Sequence, residues 1–262
     1  MARVLAISSH VVRGHVGLNA TVPGLQHFGH EVWALPTVLL ASRPGLGRLV
    51  RFELPPPDLA GMLDALEADG CWPMLDAVFT GYFPSASSVT AAAQAIARIK
   101  SANPRAVICV DPILGDDDRL YVSAETAEAV RNALIPLATV ATPNLFELQW
   151  LTGRRPRSLD EVAEVARGLG PATVLVTSAA QTASSIATLL VGATQRIERL
   201  RPRRAQIPNG AGDLFAGLFL GALLSGQPVD AALDASLADL DSVLAASEAR
   251  DVLLLSQLKS GR

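Results

Sequence analysis

Apolar and polar positions alternate in two rhythms along this chain. Short runs, Val4 to Ile7, Val32 to Leu35, Ala77 to Thr80, Ala106 to Val110, Ala138 to Ala141 and Thr173 to Thr177, are apolar on nearly every position. That is the pattern of strands buried on both faces. Between them lie longer stretches of helical period, including Asp58 to Ala68, Ser87 to Ser101, Ala124 to Leu134 and Leu159 to Leu169. The repeated strand-helix order predicts an α/β fold: a central, mostly parallel sheet with right-handed crossovers and helices on both faces.

Three segments modify that scheme. Ser184 to Val191 and Gln195 to Arg201, separated by Gly192-Ala193-Thr194, read as an antiparallel hairpin at one sheet edge. From Asp213 onward the pattern is helical. The longest apolar run, Leu214 to Leu224, falls well short of the roughly 20 residues that span a bilayer and predicts a buried helix. Between Pro36 and Pro57 there is no clear period, so this stretch is expected to be a long mobile connection, a lid over about residues 37–55. Arg196, Arg199, Arg201, Arg203 and Arg204, spaced in near alternation, are expected on a solvated strand face.

Composition narrows the class. The 262 residues, half of them apolar, suit one domain over 1–262, and 18% charged residues exclude a disordered chain. A net charge of −3 gives no pull toward nucleic acid or anionic lipid. With only Cys71 and Cys109, neither a disulfide framework nor a four-cysteine zinc site can be built, which fits a reducing cytoplasm. Met1 to Ile7 is too short for a signal-peptide core and reads as the first strand. His10, His15, His27 and His30 lack accompanying Cys or carboxylate ligands, and the last two suit a helix C-terminus rather than a metal. Ser256-Gln257-Leu258-Lys259 matches an SxxK nucleophile pattern by chance, at the end of the chain.

The chemistry concentrates where predicted strands end. In Gly210-Ala211-Gly212-Asp213, two glycines allow a tight turn with bare amides, and the following helix adds its positive end. A phosphate suits that junction, and Asp213 beside it could take a proton from an attacking hydroxyl. An ordinary helix start with Asp213 as a cap explains the four residues equally well. Because GxxxxGK[ST] is absent, any phosphate cradle must be this junction. Asp111 and Asp116, in Asp111-Pro112-Ile113-Leu114-Gly115-Asp116, are candidates for Mg²⁺ held through water, although Gly115 to Asp118 also reads as a solvated turn. In Thr142-Pro143-Asn144-Leu145-Phe146-Glu147, Asn144 can cap a helix and Glu147 can complete the cap or orient metal-bound water. Thr177-Ser178 offers donors to phosphate.

In this order the segments resemble the pyridoxal kinases of the ribokinase superfamily over nearly the whole chain. Ser9-His10-Val11-Val12-Arg13-Gly14-His15-Val16-Gly17 is similar to that family's vitamin-binding opening, and Thr80-Gly81-Tyr82, Asp111-Pro112, Thr142-Pro143-Asn144 with Glu147, Thr177-Ser178 and Gly-x-Gly-Asp follow in place. The resemblance implies a ribokinase-like three-layer sandwich, a homodimer, and ATP-dependent phosphorylation of the 5′-hydroxymethyl group of pyridoxal, with pyridoxine and pyridoxamine as further acceptors. Mg²⁺, and often K⁺, accompany ATP. It implies that Ser9 bonds the pyridine ring, that Val16 and Tyr82 pack on it, and that Arg43 lies in the lid beside it. Asp213 would be the base, with the amides of Gly210, Ala211 and Gly212 on the phosphoryl group. Asp111, Asp116, Thr142, Asn144 and Glu147 would serve the phosphates and metal, Asp116 and Glu147 nearest the ion, with Thr177 and Ser178 on the nucleotide.

Two segments depart from that family: Ala41-Ser42-Arg43-Pro44 replaces Ser-Asn-His-Thr in the lid, and Ala211 replaces a threonine in the glycine junction. They keep two other readings open: a kinase for another heterocycle such as hydroxymethylpyrimidine, and a homologue that binds the vitamin without transferring phosphate.

Overall fold

The computed structural model describes residues 1–43, 45–46 and 48–258; Pro44 of the lid tetrapeptide and Lys259 of the SxxK match lie outside the described residues. The strands are β1 (Arg3–Arg13), β2 (Glu31–Ser42), β3 (Arg51–Glu53), β4 (Ala77–Thr80), β5 (Val107–Val110), β6 (Gly115–Asp116), β7 (Arg119–Leu120), β8 (Val140–Ala141), β9 (Thr173–Gln181), β10 (Ser185–Gly192) and β11 (Arg196–Pro202). The helices are α1 (Leu18–His27), α2 (Pro56–Ala68), α3 (Ala86–Ala102), α4 (Ala124–Ala129), α5 (Leu145–Thr152), α6 (Leu159–Arg167), α7 (Ala211–Leu224) and α8 (Val229–Ser247). Nine strands form one sheet in the order β11-β10-β9-β8-β5-β4-β1-β2-β3, and β6 and β7 form a separate small hairpin.

From β2 to β9 by way of β1, β4, β5 and β8 the strands are parallel, and β3, β10 and β11 join antiparallel at the two edges. Pleating explains why the central strands are apolar throughout. Val4 and Ala6 pack with Leu18, Leu214, Phe219 and Leu240 under α1, α7 and α8. Their neighbours Leu5 and Ile7 face the opposite way, toward Leu59, Ile96 and Ile99 of α2 and α3. The result is the expected three-layer sandwich. Among the described residues no helix is long and apolar enough to cross a membrane.

The lid differs from its expectation. β2 continues to Ser42 because β1 also runs on to Arg13, pairing His10 with Leu39 and Val11 with Leu40. β3 then folds back, with Val38 opposite Glu53 and Leu39 opposite Phe52, so much of the stretch is an antiparallel flap rather than an irregular connection. Pro36 hid this extension. Lacking an N–H, it sits where the β1–β2 register slips, Ser8 opposing Pro36 and Ser9 opposing Val38.

Arg203 is exposed as expected, but the other four arginines differ. Arg199 and Arg201 turn toward α8 and pair with Asp234 at 2.5 Å and Asp241 at 2.8 Å, while Arg196 pairs with Asp160 of α6 and Arg204 with Glu248. They lace the edge strand to its helices, a long-range pairing that local alternation cannot reveal. His27 and His30 are structural ties: His27 meets Asp239 of α8 at 3.0 Å, and His30 bridges the Ala2 amide and the Gly221 carbonyl.

Candidate active site

The carboxyl ends of β1, β4, β5 and β8 and the start of α7 converge on one end of the sheet, the place where open α/β sheets bind ligands. α7 starts abruptly because Gly210 takes a left-handed conformation (φ 102°) at its N-cap. The N-cap position itself has no side chain to cap the helix, and Asp213 stands on the first turn. A Cβ on Gly210 would fall 1.7 Å from the His15 carbonyl oxygen. At Gly212, by contrast, a Cβ would meet nothing within 4 Å, so the first turn of α7 has open space beside it.

Asp213 follows on the first turn. Its carboxylate accepts the backbone N–H of Gly17, at the start of α1, and its own N–H. Its Oδ1 is shielded from solvent and has no partner. Desolvation dominates over those two hydrogen bonds and pushes its pKa up to about 6. A buried, unpartnered carboxylate oxygen with a near-neutral pKa is what a general base for an alcohol requires.

Two more carboxylates stand nearby. Asp111, buried beyond β5, accepts the Thr142 hydroxyl at 2.9 Å. Burial raises its pKa well above the usual range, and the charges of Glu147 and Asp213 raise it further. Glu147 is also buried, and desolvation pushes it to about 7 against the pull of three backbone amides. It forms a reciprocal capping box with Asn144: Asn144 Oδ1 accepts the Glu147 amide at 2.8 Å, and Glu147 Oε2 accepts the Asn144 amide at 2.9 Å. Its Oε1 takes the amides of Leu114, at 2.8 Å, and Gly115, and Asn144 Nδ2 donates to the Gly115 carbonyl at 2.8 Å. Capping is therefore one half of the role. The other half clasps the 113–116 loop, which carries Asp116. Asn144→Ala, which removes both contacts, should lower stability by about 1 to 2 kcal/mol in chemical denaturation.

Asp116 is exposed at the β6–β7 hairpin, whose turn residues Asp117 and Asp118 both have positive φ. Among the described residues, no three His, Cys, Asp or Glu side chains are grouped to hold a metal ion, and no ion pair neutralises Asp111, Glu147 or Asp213. Any divalent ion bound here would therefore have to be held through water and phosphate oxygens rather than in a protein cage. These desolvated acids also oppose folding. Carboxylates with raised folded-state pKa bind more protons when folded, so their contribution makes stability fall as pH rises through their titration. Asp111→Asn should therefore raise the thermal midpoint at pH 8 and flatten its fall between pH 5 and pH 8.

Thr177 and Ser178 reach the same end through β9, Thr177 donating its amide to the Pro143 carbonyl at 3.0 Å. Ser178 holds φ at 52°, an uncommon conformation for a side-chain-bearing residue. On the opposite flank, Ser9 is buried at the β1 bulge, with Val16 and Tyr82 half-buried and Arg43 half-buried at the end of β2. The Tyr82 amide donates to Ser8 Oγ at 3.0 Å and its carbonyl accepts from Thr37 Oγ1 at 2.7 Å. Burial raises the Tyr82 phenol pKa, with Arg51 and Glu53 of β3 as the charges that act on it. Sequence reasoning missed Gly17, the donor to Asp213. Its signal was a glycine directly before the apolar helix α1, with φ 57° and a Cβ position 2.3 Å from Ser9.

A family model described as "pfkB family carbohydrate kinase" matches residues 77–238. The "pyridoxine/pyridoxal/pyridoxamine kinase" of Bordetella avium is 38% identical over 255 residues, covering 95% of this chain and 86% of that protein. The structure of pyridoxal kinase from Leishmania donovani in complex with ADP and pyridoxamine superposes with a TM-score of 0.91 at 28% identity, covering 98% of this chain and 94% of the other. That of a putative phosphomethylpyrimidine kinase from Bacteroides thetaiotaomicron gives a TM-score of 0.91 at 25% identity, over 98% and 92%.

Proposed function

This chain belongs to the pfkB family of carbohydrate kinases, and on that premise we propose that it transfers the γ-phosphoryl group of ATP to the 5′-hydroxymethyl group of pyridoxal, with pyridoxine and pyridoxamine as further acceptors. The observation that carries the reading is the unpartnered Oδ1 of Asp213, raised to a pKa of about 6, at the foot of a bare helix N-terminus.

In the proposed mechanism Ser9 bonds the vitamin ring, Val16 and Tyr82 pack against it, and the flap with Arg43 closes over it to exclude water. Asp213 accepts the proton of the 5′-hydroxyl as its oxygen bonds to the γ-phosphorus and the bond to the β-phosphate oxygen breaks. The amides of Gly210, Ala211 and Gly212, at the positive end of α7, hold the transferring group's negative charge. Thr142, Asn144, Thr177 and Ser178 orient the nucleotide phosphates. Asp111, Asp116 and Glu147 would hold Mg²⁺ through its water shell, and the ion would neutralise charge on the phosphates; K⁺ would act beside them. A homodimer in the cytoplasm completes the proposal, supported by family resemblance.

The Bacteroides neighbour, described as a phosphomethylpyrimidine kinase, motivates keeping a pyrimidine, hydroxymethylpyrimidine, as the second acceptor. A coupled assay with Mg-ATP decides between them: turnover on pyridoxal well above that on hydroxymethylpyrimidine is expected, and the reverse order overturns the vitamin reading. Binding of pyridoxal without turnover on any acceptor would favour a non-catalytic homologue. The base also fixes a pH dependence. Only ionised Asp213 accepts a proton, so kcat/KM for pyridoxal should rise with pH and level off above a midpoint near 6.

A further inference from the structure

The loop between β1 and α1 touches the reaction centre three times. Gly17 lies against Ser9 and donates its amide to the Asp213 carboxylate, and the His15 carbonyl abuts Gly210. With glycines at φ 107° (Gly14) and 57° (Gly17), the loop has little intrinsic stiffness. Its closure comes from Asn19 on the first turn of α1. Asn19 Nδ2 donates to the Val11 carbonyl at 2.8 Å, and its Oδ1 accepts the Val11 amide at 3.1 Å. One side chain thus occupies both backbone groups of Val11 as a neighbouring strand would. The His15 ring, whose Nδ1 lies 3.3 Å from the Asn19 carbonyl, ties the interior of the loop to the same residue.

We propose that Asn19 is a positioning residue that cinches the Val11–Asn19 loop, so that Gly17 is held on the Asp213 carboxylate and His15 against Gly210. It touches neither acceptor nor phosphate. It acts through two amino acids that face the base and the anion hole, coupling the acceptor pocket to the catalytic junction. This inference rests on the kinase reading above for its kinetic readout but not for its spectroscopic one.

The test compares Asn19→Ala with Thr139→Ala. Thr139 makes the same kind of two-way clamp, to the amide and carbonyl of Ile108, at the opposite end of the sheet. With pyridoxal and Mg-ATP, Asn19→Ala should lower kcat about 10-fold and raise KM for pyridoxal while leaving KM for ATP within about twofold. Thr139→Ala should change thermal stability with kcat retained. Independently of any substrate, the ¹³C carboxyl signal of Asp213 should titrate near 6 in the wild type and higher in Asn19→Ala, because an amide that favours the ionised form has moved away. Asp111 at the end of β5, the carboxylate on which the charge of Asp213 acts, is the same in both proteins. An unchanged Asp213 midpoint, or a kcat loss matched by Thr139→Ala, overturns the proposal. A wild type that phosphorylates no vitamer indicts the kinase reading instead, and the titration still decides the role of Asn19.

Discussion

Replacing Asp213 by Asn is expected to lower kcat with pyridoxal by roughly 10²- to 10⁴-fold, the range associated with losing a positioned general base. The substitution nearly preserves shape. The side-chain amide can still accept the Gly17 amide through its oxygen, so the fold and the pocket should survive. Removing a desolvated acid should also raise thermal stability at neutral pH. Loss of turnover with a raised melting temperature and near-normal pyridoxal binding, read by coupled assay, calorimetry and titration of the bound vitamin, is therefore the expected signature. Turnover that survives, still with its acid limb near pH 6, would assign the base elsewhere.

The second large effect is expected from Gly210→Ala, and its contrast with Gly212→Ala is the informative part. At Gly210 the new methyl would sit 1.7 Å from the His15 carbonyl oxygen, at a φ of 102° that L-residues rarely adopt. Backbone on one side or the other must move, at an expected cost of about 2 to 4 kcal/mol. Because that movement displaces the helix start carrying Asp213, activity should fall at least about 100-fold. Gly212 has open space and lies inside the helix, where alanine should stabilise by up to about 1 kcal/mol. Its methyl would instead project into the space proposed for phosphate, so KM for ATP should rise while the protein melts no earlier. Equal effects at the two positions would show that neither distinction holds.

Which of these features sequence could reveal follows from the range of the interactions involved. The central strands, the edge hairpin and most helices were legible because burial on both faces or one stripe is a local pattern, repeated within a few residues. The boundaries drifted where tertiary pairing decided them. β1 and β2 extend each other past their apolar cores, Pro36 masked that extension, and the predicted Ala124 to Leu134 helix becomes α4 followed by a π-turn. The capping box at Asn144 and Glu147 was likewise local, whereas its second function, holding Leu114 and Gly115, joins residues about thirty positions apart.

Asp213, with its two glycines, was visible as a carboxylate before an apolar helix, but four residues could not separate a base from a cap. Sequence determined which side chains end their strands and so supplied the acids, the glycines and the hydroxyls. Only the tertiary structure decided that Asp213 loses water, that the Gly17 amide faces its charge, and that Glu147 and Asp213 stand close enough to raise the proton affinity of Asp111. Desolvation and charge coupling depend on what surrounds a group in space, and the residues responsible are spread from Gly17 to Asp213 along the chain.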